Sequence, residues 1–213
     1  MKAIGIRALA VVSGLGLLAG PALAQSVSGT AYGAYVNALG VTSQSAVASV
    51  SDTGGLAAAN ADSYQVPSAV SANWLSATSS GAVGSGSDKN SGAQSVSELE
   101  TVSVLSGVIR ADVVTAVASS YVTGTGAGSN GTGSGFANLV VNGVAVITEV
   151  APNTRVTLPG VGYAVFNEQT PSGDGVTSSG IRVTMIRVVL QDALTGAKTG
   201  EIVVGSAASS VTR

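Results

Sequence analysis

The chain has 213 residues, 29 of them Gly; 9% are charged, with 9 Lys and Arg against 11 Asp and Glu for a net charge of −2. It contains no His and no Cys, which excludes imidazole bases, Ser-His triads, thiolate nucleophiles, disulfides and His- or Cys-ligated zinc or iron. Lys and Arg are too scattered, and aromatics at 4% too rare, to build the basic, aromatic-lined surface of a nucleic-acid binder.

Lys2 and Arg7 flank the start of an apolar run that continues to Ala19, and Ala22-Leu23-Ala24 supplies a small-x-small cleavage site. Residues 1–24 therefore read as a signal peptide cut between Ala24 and Gln25. The run is shorter than the roughly 20 residues that span a bilayer, so no transmembrane segment is expected after cleavage. Residues 25–213 are expected to form a single extracellular domain, large enough to bury a core without disulfides.

Beyond the leader, Val, Thr and Ser runs punctuated by Gly favour strands over helices. The pattern predicts strands at 30–41, 45–50, 69–78, 95–105, 108–122, 137–141, 144–150, 155–158, 162–167, 181–190 and 200–208. The Ala-rich stretch 56–61 is too short for a helix, and 113–118 reads as strand because Val and Thr dominate it. Asn142-Gly143 between two apolar runs predicts a hairpin with a type I′ turn, where both central residues take positive φ. A longer hairpin connection is expected at 192–198, with Gly196 near its end. Within 181–190 the apolar residues switch parity, from Ile181, Val183 and Met185 to Ile186, Val188 and Leu190, which predicts a bulge near Met185–Arg187. The Gly/Ser runs at 79–94 and 124–135 predict mobile surface loops. The fold class is all-β: an antiparallel β-sandwich, jelly-roll-like, with long Gly/Ser-rich loops.

Each chemical motif has a plain alternative. Gly126-Ala127-Gly128-Ser129-Asn130-Gly131 spells a dinucleotide fingerprint but lies in a Gly/Ser run with no helix pattern after it. Asp88-Lys89-Asn90 begins like a calcium loop, yet the position of the bidentate Glu holds Leu99. Glu98 with Glu100, or Glu149 with Glu168, could form a glycosidase-type pair, against the ordinary reading of solvated strand faces. Asn130-Gly131-Thr132 is a glycosylation sequon to which no function attaches. Trp74 and the dispersed Tyr residues read as edge packing with wet polar tips. An outer-membrane barrel would want aromatic girdles, which the chain lacks. No catalytic, cofactor or metal residue is assigned, and no cofactor is expected.

The stretches Phe136-Ala137-Asn138-Leu139-Val140-Val141-Asn142-Gly143, Ala151-Pro152-Asn153-Thr154, Val156-Thr157-Leu158-Pro159-Gly160, Phe166-Asn167-Glu168-Gln169 and the closing 200–207 resemble the choice-of-anchor P family of bacterial surface proteins. The segments 31–36 and 109–114 look like the same family, so the resemblance covers nearly all of the chain after the leader. It implies an exported domain tethered to the cell envelope, with no established activity; nothing after Ala208 resembles a sorting signal or terminal apolar anchor. Asn142, Gly143, Pro152, Asn153, Asn167, Glu168 and Gln169 are the family-motif positions, expected to be structural. Asn153 and Asn167 suit turns and strand ends where Asn tolerates αL, and Glu168 is expected to accept backbone N–H bonds at a strand end.

These readings converge on a secreted or cell-surface, non-enzymatic structural or adhesive protein. A sharper version is self-assembly, with 25–41 pairing to an open sheet edge of the next subunit. Its partners would then be itself or other cell-surface components, not nucleic acid. The alternatives are an extracellular ligand- or glycan-binding module using the loops 79–94 and 124–135, and a carboxylate-dependent hydrolase.

Overall fold

The computed structural model describes residues 25–213 except 39, 46, 86–89 and 148. The expected signal peptide, Ala24 included, and Asp88 and Lys89 of the calcium-like stretch lie outside the described residues. Gln25 is described, and its side chain accepts a hydrogen bond from Ser91 Oγ at 3.4 Å.

Strand β1 (Ser26–Ala38) turns back into β2 (Val41–Gln44) and β3 (Val47–Val50), both paired to it. The chain then crosses to a second sheet through β4 (Gly54–Ala61), β5 (Tyr64–Val66), β6 (Val70–Ala72), β7 (Trp74–Ala82), β8 (Ser91–Val104) and β9 (Ile109–Thr123). The short strands β10 (Gly126–Asn130), β11 (Gly135–Ala137) and β12 (Val140–Val141) line the far side of β9, and β13 (Val144–Ala145) closes a hairpin with β12. The return to the first sheet runs through β14 (Thr154–Leu158), β15 (Gly162–Ser172), β16 (Ser178–Gln191) and β17 (Lys198–Thr212), which pairs with β1.

Two antiparallel sheets, of seven and ten strands, pack face to face, as the sandwich reading requires. Runs such as β14-β15-β16-β17 and β7-β8-β9 are meanders, and non-consecutive neighbours join β1 to β17, β6 to β8, β4 to β7 and β12 to β9. β1 lies between β17 and the β2–β3 pair, so within the chain the segment expected to pair with the next subunit already has a strand on both sides over residues 29–32 and 35–37.

The Asn142-Gly143 turn forms with φ of 51° and 76°, and Val141 pairs with Val144 across it. The 192–198 connection also forms: Asp192 Oδ1 accepts the N–H groups of Leu194 and Thr195 at 3.1 and 2.8 Å, and Gly196 has a φ of 71°. Residues 56–61 are strand, within β4. Parts of the two Gly/Ser runs are strand as well: within 79–94 β7 extends to Ala82 and β8 starts at Ser91, and within 124–135 lie β10 and the first residue of β11. The reason lies in the interior. Ser79 Oγ meets Ser95 Oγ at 2.8 Å between β7 and β8, and a Cβ placed on Gly29 of β1 would fall 2.3 Å from the Ser79 oxygen. Ser97 Oγ donates to the Tyr32 carbonyl of the opposite sheet at 2.9 Å. At these points the sheets meet through Gly, Ala and Ser, which are small enough for a hydroxyl to reach the facing backbone. Small residues that look too permissive to bury anything are here the core.

At the other end the interior is conventional. Phe166, Met185, Ile186, Ile202, Val104 and Ile109 belong to one large aliphatic cluster, while Ala31, Ala48 and Ala77 form a small separate one and Val27, Ala93, Val122 and Val211 another.

Between these regions each sheet changes face along one row. In the first sheet Gly33, Gly205, Met185 and Asn167 stand side by side, because the pairs above and below them keep a constant register. On β1 the inward residues are Val27, Gly29 and Ala31 before the row and Ala34, Val36 and Ala38 after it. Gly205 and Asn167 take positive φ, 66° and 50°. The second sheet repeats the device at Asn73, Thr101, Asp112 and Asn138, with positive φ at Thr101 and Asn138. The parity switch in 181–190 is therefore real but is not a bulge: no residue is inserted, since neighbouring strands switch together, and the register shift on this strand falls at Leu190–Gln191.

Candidate functional site

The segment from Val146 to Asn153 carries the chain from the second sheet back to the first, and the sheets diverge beside it. The gap holds two adjoining clefts. One, about 570 Å³, is lined by Phe136, Asn138, Ile147, Glu149, Asn167 and Met185. The other, about 750 Å³, is lined by Asn130, Thr132, Glu149, Asn167, Gln169 and Ile181. Phe136 is held edge-on to Phe166, ring centroids 6.1 Å apart.

The motif asparagines build the floor. Asn153 N–H donates to the Asn167 carbonyl at 2.9 Å, and Asn153 Oδ1 accepts from the Gln169 backbone N–H at 2.9 Å. Asn167 Nδ2 donates to the Val150 carbonyl at 3.0 Å, while its Oδ1 accepts from Gln169 Nε2 at 3.0 Å. Both asparagines have positive φ, 62° and 50°, which their short amide side chains tolerate. Asn153, Asn167 and Gln169 thus tie the crossing segment to β15, Pro152 is exposed on the rim of the second cleft, and Asn142 and Gly143 sit apart at their hairpin tip.

Glu168 departs from expectation. It accepts no backbone bond at a strand end; its carboxylate pairs with Arg187 Nη1 at 3.0 Å. Arg187 also bonds Glu201, which Lys198 engages in turn. This network lies across β15, β16 and β17. Burial pushes the Glu201 carboxyl up, but the bonds from Lys198 and Arg187 outweigh it and hold the group below its ordinary range. The Arg187 guanidinium is pushed up by Glu201 foremost and by Glu168, against the opposing effect of burial.

Glu149 is solvent-exposed and lines both clefts, which Glu168 does not. Glu98 and Glu100 stand beside Ser76 and Trp74 on one face of the second sheet. The structure thus joins neither carboxylate pair in a shared cavity. Gly126 to Gly131 runs along β10 and opens no helix, and Asn130 Oδ1 accepts the Thr132 N–H in a local turn. Among the described residues no three His, Cys, Asp or Glu side chains are grouped to hold a metal.

Sequence reasoning missed Phe136, Asn138 and Met185 as cleft-lining residues, and nothing local marks them. Arg187 did carry a signal, as the charge interrupting an apolar strand.

A scan against models of protein families matches none, and no curated protein matches the chain. Among solved structures, Neisserial surface protein A aligns over 89% of this chain and 97% of its own at 10% identity, with a TM-score of 0.16. A likeness that low bears on neither fold nor function.

Proposed function

We propose that this chain is an exported, non-enzymatic structural or adhesive protein of the cell surface or extracellular matrix. The observation that carries the reading is the interior itself. Ser97 bonds the Tyr32 backbone and Ser120 bonds Ser209, each from one sheet to the other. That makes a thin slab with its layers hydrogen-bonded together, a construction suited to bearing load rather than to opening around a substrate. The resemblance of the Pro152-Asn153 and Asn167-Glu168-Gln169 motifs to choice-of-anchor P surface proteins supports the same reading, as does the leader-like pattern of residues 1–24. So does the disposition of the acids, with Glu168 and Glu201 committed to Arg187 and Lys198.

The test is light scattering after size exclusion, followed by negative-stain microscopy, on protein beginning at Gln25. Regular oligomers or filaments are the expected result. A stable monomer at all concentrations would turn the weight to the second reading, a module for neutral glycans. The clefts favour that alternative through their content, since Asn130, Glu149, Gln169 and Thr132 present amide, carboxylate and hydroxyl groups beside Phe136.

A further inference from the structure

The outer face of the first sheet dips where β15, β16, β17 and β1 run side by side. Register sets Thr170, Arg182, Ala208 and Thr30 in one row across these strands, and Ser172, Gly180, Ser210 and Ser28 in the next. Gly180 and Ala208 keep the middle strands low, while hydroxyl side chains stand along β15 and β1. A Cβ on Gly180 would fall 2.6 Å from Ser172 Oγ, so that hydroxyl lies over bare glycine. The result is a trough of about 340 Å³, roughly 14 Å from β15 to β1 at ordinary strand spacing.

Every charged residue but one is missing from its lining: Arg182 stands there with hydroxyls and no acid. An exposed Arg on a sheet is ordinary, and what sets this one apart is the state of the groups around it. Ser28 Oγ and Ser210 Oγ engage each other at 2.7 Å, and Thr30 Oγ1 meets Ser49 Oγ at 3.3 Å. The side chains of Arg182, Thr170 and Ser172 make no hydrogen bond or ion pair among the described residues. Glu168, one row along the same face, is held by Arg187 at 3.0 Å. Three polar side chains on adjacent strands therefore face one open space with their bonding capacity unused.

We propose that this trough binds a carboxylate-bearing polysaccharide, a chain of uronate sugars, with Arg182 taking a carboxylate and Thr170 and Ser172 bonding ring hydroxyls. The planar guanidinium presents paired N–H donors that match the two oxygens of a carboxylate. Sugar hydroxyls donate and accept, as Thr and Ser do, so the two sets are interchangeable partners. A densely sulfated chain would call for several cations, and the lining holds one. The whole chain carries a net charge of −2, so its overall field gives a polyanion no attraction and binding must come from a local site. The inference rests on the adhesive reading above and names the kind of matrix component that is held.

The test is calorimetric titration of protein beginning at Gln25 with oligogalacturonate, sulfated dextran, uncharged dextran and acetate, on wild type, Arg182→Gln and Arg110→Gln. Arg110, on β9 of the other sheet, is also exposed and without an ion pair among the described residues, so its variant controls for the loss of one charge. Both positions are exposed, and an unchanged melting temperature confirms that the fold is kept. Oligogalacturonate should bind the wild type, more weakly as salt rises, while dextran and acetate should not. Affinity should fall at least about tenfold in Arg182→Gln, the scale of one charge-assisted hydrogen bond, and stay at the wild-type value in Arg110→Gln. Absence of oligogalacturonate binding, equal losses in the two variants, or equal binding of sulfated dextran overturns the inference. The structural reading fails separately, by a stable monomer in the light-scattering experiment.

Discussion

Ser120 on β9 and Ser209 on β17 join the two sheets from inside the sandwich. Their hydroxyl oxygens lie 2.7 Å apart, and Ser120 Oγ also reaches the Ser209 carbonyl at 3.1 Å. Both residues are almost fully buried, so water is no substitute for either partner. Ser120→Ala strands the buried Ser209 hydroxyl and should cost about 2 kcal/mol, the penalty of leaving a buried group unpaired. Ser209→Ala leaves Ser120 its bond to the carbonyl and should cost less, about 1 kcal/mol. Urea denaturation of both variants and the double variant checks this. Strictly additive losses would mean that the two hydroxyls are not coupled.

Gly29 faces the second sheet with no room to spare. An added methyl would lie 2.3 Å from Ser79 Oγ and 2.6 Å from Ser95 Oγ, and those two oxygens already bond each other. Gly29→Ala must break that pair or spread the sheets, and overpacking of this kind costs about 1–3 kcal/mol. Adding Ser79→Ala to Gly29→Ala removes the nearest atom and should restore part of the loss. If Gly29→Ala alone is neutral in denaturant, the close approach of the layers is not a structural requirement.

The sequence announces its aliphatic half clearly and its serine half hardly at all. Runs such as Val108-Ile109 to Val122 and Ile181 to Leu190 carry enough Val and Ile to be read as strands from composition. The segments around Ser79, Ser91 and Ser129 do not, because small polar residues are read as loops unless a second sheet close by is known in advance. That proximity is a property of the packed pair of sheets. The row of face changes was half legible. Met185–Ile186 betrays it through parity, but its extension to Gly33, Gly205 and Asn167 needs the register. The clefts were invisible, since they exist where the crossing at Val146 to Asn153 leaves the sheets unclosed.

Thr101 carries the clearest local strain. It is a β-branched residue at φ 51° in the second sheet's row of face changes, where Asn138, one strand beyond the intervening Asp112, takes the same conformation with an amide that bonds Asp112 Oδ2 at 2.6 Å. The left-handed region costs an ordinary L-residue roughly 1–2 kcal/mol. The Thr101 side chain is exposed, so its removal sacrifices little. Thr101→Gly is therefore expected to stabilise the protein by about 1 kcal/mol, and Thr101→Asn by somewhat less. The denaturation midpoint is the readout; a loss of stability in both variants would show that the hydroxyl or methyl makes a contact worth more than the strain.

The Glu168–Arg187–Glu201–Lys198 network sets an acid limit. Glu201 is held below its ordinary value near 4.5 in the folded chain, so the folded state binds this proton less readily than the unfolded state. Its contribution is complete above about pH 4.5 and is lost as pH falls through the depressed folded value. The raised Arg187 has the opposite sign and would lose its contribution only at strongly alkaline pH. Asp174 and Asp192, held low by bonds from Thr177 and Thr195 respectively, act in the same direction as Glu201. Glu201→Gln should destabilise by about 1 kcal/mol at neutral pH, the scale of a half-exposed ion-pair network, and the variant's deficit should shrink progressively as pH falls below about 4.5. Thermal or urea unfolding of both proteins between pH 3 and 7 provides the comparison. A deficit that stays constant across that range would mean that Glu201 acts through packing and not through its charge.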